Sequence, residues 1–572
     1  MPDFSQLAQA KDSYIYVYDT VLRYLLPALV FLLLWRVCKP LLTFRREPEI
    51  WAWLVLESGK KIPITHWENV IGRSKRSDIV VDFPTVSRNH AVLRRYADGS
   101  WTVRDADSKT GIFVNGSQTP FAELAEEDVL TIGGIPMQLV PISRKQEKRQ
   151  AKLRTKAAGP VSTMVNLLLL TAIQILLLLG FLLGGQQEHA QSIALGFGGI
   201  MATEWGLLLF TLMLRRTAFE AETIAFFLCS LGMAAIATVR PGEAGKQLIA
   251  LLLGVATFLV VGWSLRDLER AQKARYLAAV AGIGFLILTL IFGKEEHGAK
   301  SWIQLGSMTL QPSELSKVCF VFVGASTMER VVSKHNLWLF IAYSVAICGC
   351  LALMNDFGTA LVFFVAFLVI AFMRSGSVGT VGLAITGLGF AGVMALRIAP
   401  HALRRFATWR HIWEDPLNAG YQQTRSLMCI ASGGLFGLGA GNGWMKNNFA
   451  ADSDMVFATV SEEWGLLIAI MAVLSTVALA VFAVRCAAVG RSSFYTIGAC
   501  TAASILIMQV MLNVLGTVDA LPLTGVTFPF LSNGGTSMIC AWGLLGFMKS
   551  ADTRQNASFA VRITKEGRDT DE

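Results

Sequence analysis

Twelve apolar segments follow one another from residue 160 onward, and they constrain this 572-residue chain more than any other feature. They cover roughly 160–184, 192–214, 217–240, 246–265, 275–293, 315–333, 337–355, 358–374, 378–398, 456–484, 494–515 and 533–550. Each is close to the about 20 residues that carry a helix across the hydrocarbon core of a bilayer. Lipid offers no hydrogen bonds, so such segments must pair their own backbone groups as helices. The expected fold is therefore a multi-pass α-helical membrane bundle. Composition agrees, with 53% hydrophobic residues, 16% charged ones and a mean hydropathy of +0.51. The net charge of +9 could suggest nucleic acid. The basic residues, however, sit in short segments beside apolar runs, as topology signals do. No basic patch interleaved with aromatics accompanies them, so no nucleic-acid partner is expected.

Charge also orients the bundle. Residues 1–45 hold one further apolar run, cleanest at Tyr24–Trp35, with Asp12 and Asp19 on one side and Arg36, Lys39, Arg45 and Arg46 on the other. It lacks a small-residue cleavage site and is read as a retained anchor with its N-terminus outside the cell. Asp19 and Arg23 make it a marginal span. Arg215 and Arg216, the stretch "RDLERAQKAR", Arg374, Arg485 and Arg491 then fall on cytoplasmic turns. The alternation leaves 293–317 and 399–455 outside and a tail over 551–572 in the cytoplasm.

Residues 46–142 differ in kind. Short β-prone runs such as "WAWLVLE", "DIVVD", "SWTVRD" and "DVLTIGG" alternate with Gly, Asp and Ser turns, which predicts an all-β sandwich. A basic linker, 143–158, follows it on the cytoplasmic side, and 159–216 form a helix pair before the main bundle at 217–550. The nine cysteines and seven histidines are scattered, so neither a disulfide framework nor a protein-built metal site is expected.

"NNFAADSDMVFATVSEEWGLL", 447–467, crowds Asp452, Asp454, Glu462 and Glu463 at the mouth of an apolar run. Carboxylates near a bilayer are costly unless hydrated, paired or used in chemistry. They are therefore candidates for a reactive site at the membrane surface.

The β region is similar to a known phosphate reader. "IGRSKRSDIVVDFPTVSRNH" followed by "DSKTGIFVNG" resembles the forkhead-associated (FHA) domain in the spacing of Gly-Arg, Ser-x-x-His and Asn-Gly. The resemblance implies a phosphothreonine-containing cytoplasmic partner held by Arg73, Ser74, Ser87, Arg88, Thr110 and Asn115, with His90 bracing the loop. Thr110 stands where that family commonly has Asn. A guanidinium fork and a hydroxyl suit a phosphate dianion on chemical grounds alone.

The bundle shows seven motifs in order: "GAKSWIQLG", "QPSELSK", "NDFGTAL", "RFATWRHIWEDPLNAGYQQ", "GGLFGLGAGNG", "DSDMVFATVSEEWG" and "LPLTGVTFPFLSNGGTS". The series resembles the SEDS family (shape, elongation, division and sporulation: RodA, FtsW and SpoVE). It implies a ten-helix core with about three extra helices and a peptidoglycan glycosyltransferase of the bacterial cytoplasmic membrane. The implied substrate is lipid II, a disaccharide-pentapeptide on undecaprenyl pyrophosphate. The implied partner is a class B penicillin-binding protein, a transpeptidase. Asp454 falls on the family's essential aspartate, whereas Asp452 stands where the family often has His. Asp454 is the candidate catalytic residue, and Asp452→Asn is expected to retain most activity. Arg405, Lys317 and Lys446 are candidate pyrophosphate contacts, and Glu314, Asp356, Thr359, Gln422 and Ser532 complete the candidate lipid II site. No motif binds a cofactor. A divalent cation, magnesium or manganese, arriving with lipid II is the alternative to basic side chains on the pyrophosphate. Glu314 and Lys317, at i and i+3 on one helical face, are expected to pair, with Ser313 as N-cap. A lipid II flippase and a non-catalytic scaffold recruiting phosphorylated cell-wall proteins are the competing readings.

Overall fold

The computed structural model describes residues 4–557 apart from 44–48, 76, 97–98, 144–145, 147–158, 184–186, 267, 297–298, 306–307, 329–333, 376, 399, 491 and 555–556. Most of the basic linker and of the C-terminal tail lies outside the described residues.

The β region is a two-sheet sandwich. One sheet orders its strands as Lys61–Ile64, Ala52–Leu56, Ile135–Pro141, Val129–Ile132, Ile112–Val114 and Ser117–Thr119. The other runs Ile79–Val80, Glu68–Gly72, Ala91–Arg95, Trp101–Asp105 and Phe121–Leu124. Alternating side chains from both sheets, among them Leu54, Ile71, Leu93, Val103, Ile112, Leu130 and Leu139, close one core. Asn115 and Gly116, both at positive φ (51° and 81°), turn the Ile112–Val114/Ser117–Thr119 hairpin, as an Asn-Gly pair favours.

Among the described residues, ten helices are long and apolar enough to cross a membrane. They begin with Thr20–Leu42, the apolar part of a helix over Phe4–Leu42, and with the pair Pro160–Leu183 and Ala190–Met213. Glu220–Val239 is buried almost throughout, among the Phe4–Leu42, Pro160–Leu183, Ala190–Met213 and Ala244–Ser264 helices and others, as an apolar helix with no polar face must be. Two expected spans, Pro312–Met328 and Gly535–Ser550, form helices of only 17 and 16 residues. The apolar run 456–484 is not one helix. It divides into Val456–Trp464 and Leu466–Ala488 at Gly465, whose φ of 89° no helix accommodates. The stretch between the Leu268–Phe292 and Pro312–Met328 helices contributes a three-stranded sheet, Lys294–Glu296, Ala299–Leu305 and Met308–Leu310.

The predicted ion pair forms: Lys317 Nζ lies 2.6 Å from Glu314 Oε1, with both side chains buried. The predicted cap does not. The helix opens at Pro312, whose missing N–H suits a first turn, so Ser313 falls inside it, and its hydroxyl has no hydrogen-bond partner among the described residues. At the opposite end of the bundle, Glu222 holds Lys549 at 3.0 Å, and Glu220 with Asp552 holds Arg554. The sandwich rests on the bundle beside the start of the Ser493–Thr517 helix. Ser493 Oγ donates to Glu68 Oε2 at 3.2 Å, and Trp67 meets Tyr495 edge-on at 6.3 Å.

Candidate functional site

A cavity of about 1560 Å3 opens between the helices and the loops joining them. Its mid-helix wall is apolar, from Leu253, Ile341, Val345, Phe364, Phe367 and Met508. Its loop-side wall is charged, from Arg240, Glu243, Lys246, Asp356, Arg405, Asp452 and Asp454, with Gln422 and Asn533 between them. One space thus offers a greasy groove and a polar mouth.

Asp454 is held through its backbone. Three successive carbonyls, of Asp452, Ser453 and Asp454, accept from Asn533 N (2.7 Å), Ser532 Oγ (2.7 Å) and Asn513 Nδ2 (3.0 Å). Asn513 also donates to Val526 O at 2.9 Å, so one amide ties the aspartate segment to the loop across the cavity. The Val456–Trp464 helix begins immediately afterwards. Its far end carries Glu462, which accepts from Trp444 N (3.0 Å) and Met445 N (2.8 Å), and Glu463, which accepts from Thr238 Oγ1 (2.7 Å). The glycine-rich segment 433–443 lies against this end. A side chain on Gly437 would meet Glu463 O at 2.1 Å, so only a residue without Cβ fits.

The remaining candidates separate by place. Asp356 and Arg405 line the cavity with Asp454 and Gln422. Asp356 caps the Phe357–Ser375 helix through Thr359 N (3.1 Å) and accepts from Ser301 Oγ (3.3 Å). Thr359 itself is buried and is not on the cavity wall. Ser532 is buried as well, its hydroxyl also accepting from Phe528 N at 2.8 Å, so it fastens loops together. Lys317 and Glu314 are sealed against each other away from the wall, and Lys446 is exposed, donating to Gly441 O at 2.7 Å. Asp452, expected to be dispensable, is instead buried on the wall. It accepts from Asn533 Nδ2 at 2.7 Å and pairs with Arg240 Nε at 3.5 Å.

Sequence reasoning missed Arg240, Glu243 and Lys246. The available signal was charge: "RPGEAGK" places basic residues on the side that the positive-inside pattern leaves poor in them.

In the sandwich, the candidate residues converge on one set of loops. The Gly72–Arg73 step is tight, since a Cβ on Gly72 would meet Arg88 O at 2.2 Å. Arg73 N and Ser74 N donate to the carbonyls of Ser87 and Arg88 (3.0 and 3.2 Å), which fixes the two loops side by side. His90 is fully buried; its Nδ1 accepts from Ser87 N (3.1 Å), and its Nε2 lies 3.0 Å from Gly111 O. That pairing makes Nε2 the protonated nitrogen. Ser87 Oγ accepts from Lys109 N at 3.0 Å, next to exposed Thr110. Arg73 and Arg88 are exposed. Asn115, expected to meet the peptide, uses its amide internally: Nδ2 donates to Asp128 Oδ1 (2.7 Å), and Oδ1 accepts from Val129 N (3.0 Å).

Comparison with known proteins places both regions. The family model described as "Cell cycle protein", for FtsW, RodA and SpoVE, matches residues 219–557, and that of the FHA domain matches 69–133. The peptidoglycan glycosyltransferase RodA of Mycobacterium tuberculosis (strain H37Rv) is 30% identical over 329 residues, which cover 54% of this chain and 70% of the relative. The probable peptidoglycan glycosyltransferase FtsW of Nitrosococcus halophilus is 33% identical over 310 residues, covering 51% and 78%. A chain from a solved peptidoglycan synthase complex matches with a TM-score of 0.50 at 24% identity, covering 58% of this chain and 96% of its own, and shares the fold. The chain belongs to the FtsW/RodA/SpoVE family, the SEDS proteins, and sets an FHA domain ahead of the family core.

Proposed function

We propose that this protein is a peptidoglycan glycosyltransferase that polymerises lipid II at the outer face of the cytoplasmic membrane. We propose further that its FHA domain binds a cytoplasmic phosphothreonine protein that regulates it. One observation carries the first reading: a single cavity joins an apolar mid-helix groove to a charged mouth bearing Asp454. An undecaprenyl tail suits the groove. Arg240, Lys246 and Arg405 suit the pyrophosphate, where fixed cations stabilise the charge that develops on a leaving group. Asp454 takes the proton from the acceptor sugar's 4-hydroxyl. That oxygen bonds to the donor's anomeric carbon as the bond to pyrophosphate breaks, and undecaprenyl pyrophosphate leaves. Among the described residues no three His, Cys, Asp or Glu side chains cluster as a metal site. A divalent cation would arrive on the substrate's pyrophosphate, with Asp454 as one nearby carboxylate. A flippase should carry polar groups near the midplane, where this cavity is lined by Phe364, Phe367 and Met508.

The charge alternation supports an outside N-terminus with a cytoplasmic sandwich and tail. Relatives named glycosyltransferases and a similar chain in a complex for polymerization and crosslinking support a partner transpeptidase of the class B penicillin-binding type. The deciding experiment gives labelled lipid II to the purified full chain, with and without that partner. Glycan strands are expected, and their absence in both arms overturns the reading.

A further inference from the structure

An arginine in an apolar helix is costly unless something accepts its donors. Arg23, which makes the first helix look marginal as a span, has such an acceptor. Its Nη2 donates to the carbonyl of Leu438, and the neighbouring Tyr24 ring packs on Phe436 with centroids 4.9 Å apart. Both partners belong to the glycine-rich segment 433–443. Glycine loses the most freedom on ordering, so a segment with six glycines in eleven residues stays in one shape only if it is held from outside.

The other face of the same segment grips the far end of the helix that follows Asp454. Leu438 N donates to Glu462 O (2.9 Å) and Gly439 N to Glu463 O (3.0 Å). The Glu462 carboxylate collects Trp444 N and Met445 N, and Met445 packs with Met455 and Ala458. The Val456–Trp464 helix, which starts two residues after Asp454, is thus clamped between this segment and the bundle. Arg23 lies outside residues 219–557, the part that matches the family.

We propose that Arg23 is a positioning residue for glycosyl transfer. By pinning Leu438 it fixes the glycine-rich segment, and through Glu462 it fixes the helix that presents Asp454. The proposal rests on the glycosyltransferase reading for its effect on turnover, while the pinning itself does not.

The test uses the full chain in nanodiscs, comparing wild type, Arg23→Met and Arg23→Lys. Arg23→Met should lower kcat on lipid II by on the order of ten- to hundredfold, as small misplacements of reacting groups do. KM should hardly change, and the Leu438 and Gly439 amides should exchange faster with deuterium. Arg23→Lys, which keeps a charged donor, should recover most of both. An unchanged kcat in folded Arg23→Met, whatever its melting temperature, overturns the proposal, and so does unchanged exchange. If Arg23→Met does not insert, Arg23→Gln is read by the same two measurements. A wild-type protein that makes no glycan either with or without the partner transpeptidase defeats the glycosyltransferase reading instead, and the exchange comparison then decides the Arg23 contact by itself.

Discussion

The FHA loops and the membrane cavity present charge in opposite ways. Arg73 and Arg88 stand exposed on a sandwich whose backbone is already satisfied, with His90 buried beneath them as a brace. Asp452 and Asp454 sit on a wall assembled from helices and loops hundreds of residues apart. An exposed site can be built locally, because water supports each charge until a ligand arrives. A site at a membrane must supply partners for every charge it buries, so it draws on the whole bundle. The same substitution, charge to amide, should therefore cost far more in the cavity than on the sandwich.

Asp454→Asn is the harshest test of that contrast. It keeps the shape and removes the base, so glycan synthesis should fall about 10²- to 10⁴-fold, while the protein still folds and reaches the membrane. Normal synthesis would remove the aspartate from the mechanism. Glu314→Gln probes a buried pair away from the cavity. It strands Lys317 and should cost about 3–5 kcal/mol of stability, read as a lower melting temperature, with turnover per folded molecule unchanged. A loss of turnover without a loss of stability would return the pair to the substrate site. Asp452→Asn, which weakens the contacts to Arg240 and Asn533, should reduce synthesis about tenfold, as loss of roughly 1.5 kcal/mol from a charged hydrogen bond does; full activity would show that only Asp454 matters on this wall. On the sandwich, Arg73→Ala should weaken phosphothreonine-peptide binding by the full chain at least tenfold, measured by anisotropy, and leave basal synthesis untouched. Equal binding of phosphorylated and plain peptide would reduce the domain to a docking module.

The smallest effect concerns Asp128. Hydrogen bonds from the Ala125 amide and the Asn115 side chain hold its carboxyl below the usual carboxylate range. A carboxyl lowered on folding stabilises the fold above its unfolded pKa of about 3.9. That stabilisation is lost as pH falls through the folded value. Protection of the Ala125 amide should therefore drop in acid, and Asp128→Asn should flatten the profile.

Most of the fold was legible in the sequence, because span length and strand alternation are local. Legible too was that Asp454 would stand at the polar mouth and that Arg73, Ser87 and His90 would share one set of loops, since short motifs carry both placements. What escaped depends on distant chain. The break at Gly465 looks like a tolerable glycine in an apolar run, yet a Cβ there would meet Leu435 O at 2.3 Å, a neighbour thirty residues back. Asn513 lies within a span and reads as an ordinary polar helix residue, but it reaches two loops. Ser313 was misjudged because proline at the first helical position puts the cap at Gln311, two residues earlier. Arg240 was missed because its partner Asp452 is more than two hundred residues away.

The sandwich is inserted between two membrane helices, Phe4–Leu42 and Pro160–Leu183, and its contacts with the bundle include Trp67 on Tyr495 and Glu68 on Ser493. Between free molecules one edge-on ring pair and one hydrogen bond would not persist by themselves. Fastened to the bundle at both ends of its chain, the domain meets its landing site at an effective concentration on the order of millimolar, so docking needs almost no affinity of its own. The strand Glu68–Gly72 begins at that landing site and ends one residue before Arg73. A protein caught there is leashed about five residues of extended chain, roughly 17 Å, from the bundle, however weakly it would seek a membrane unaided.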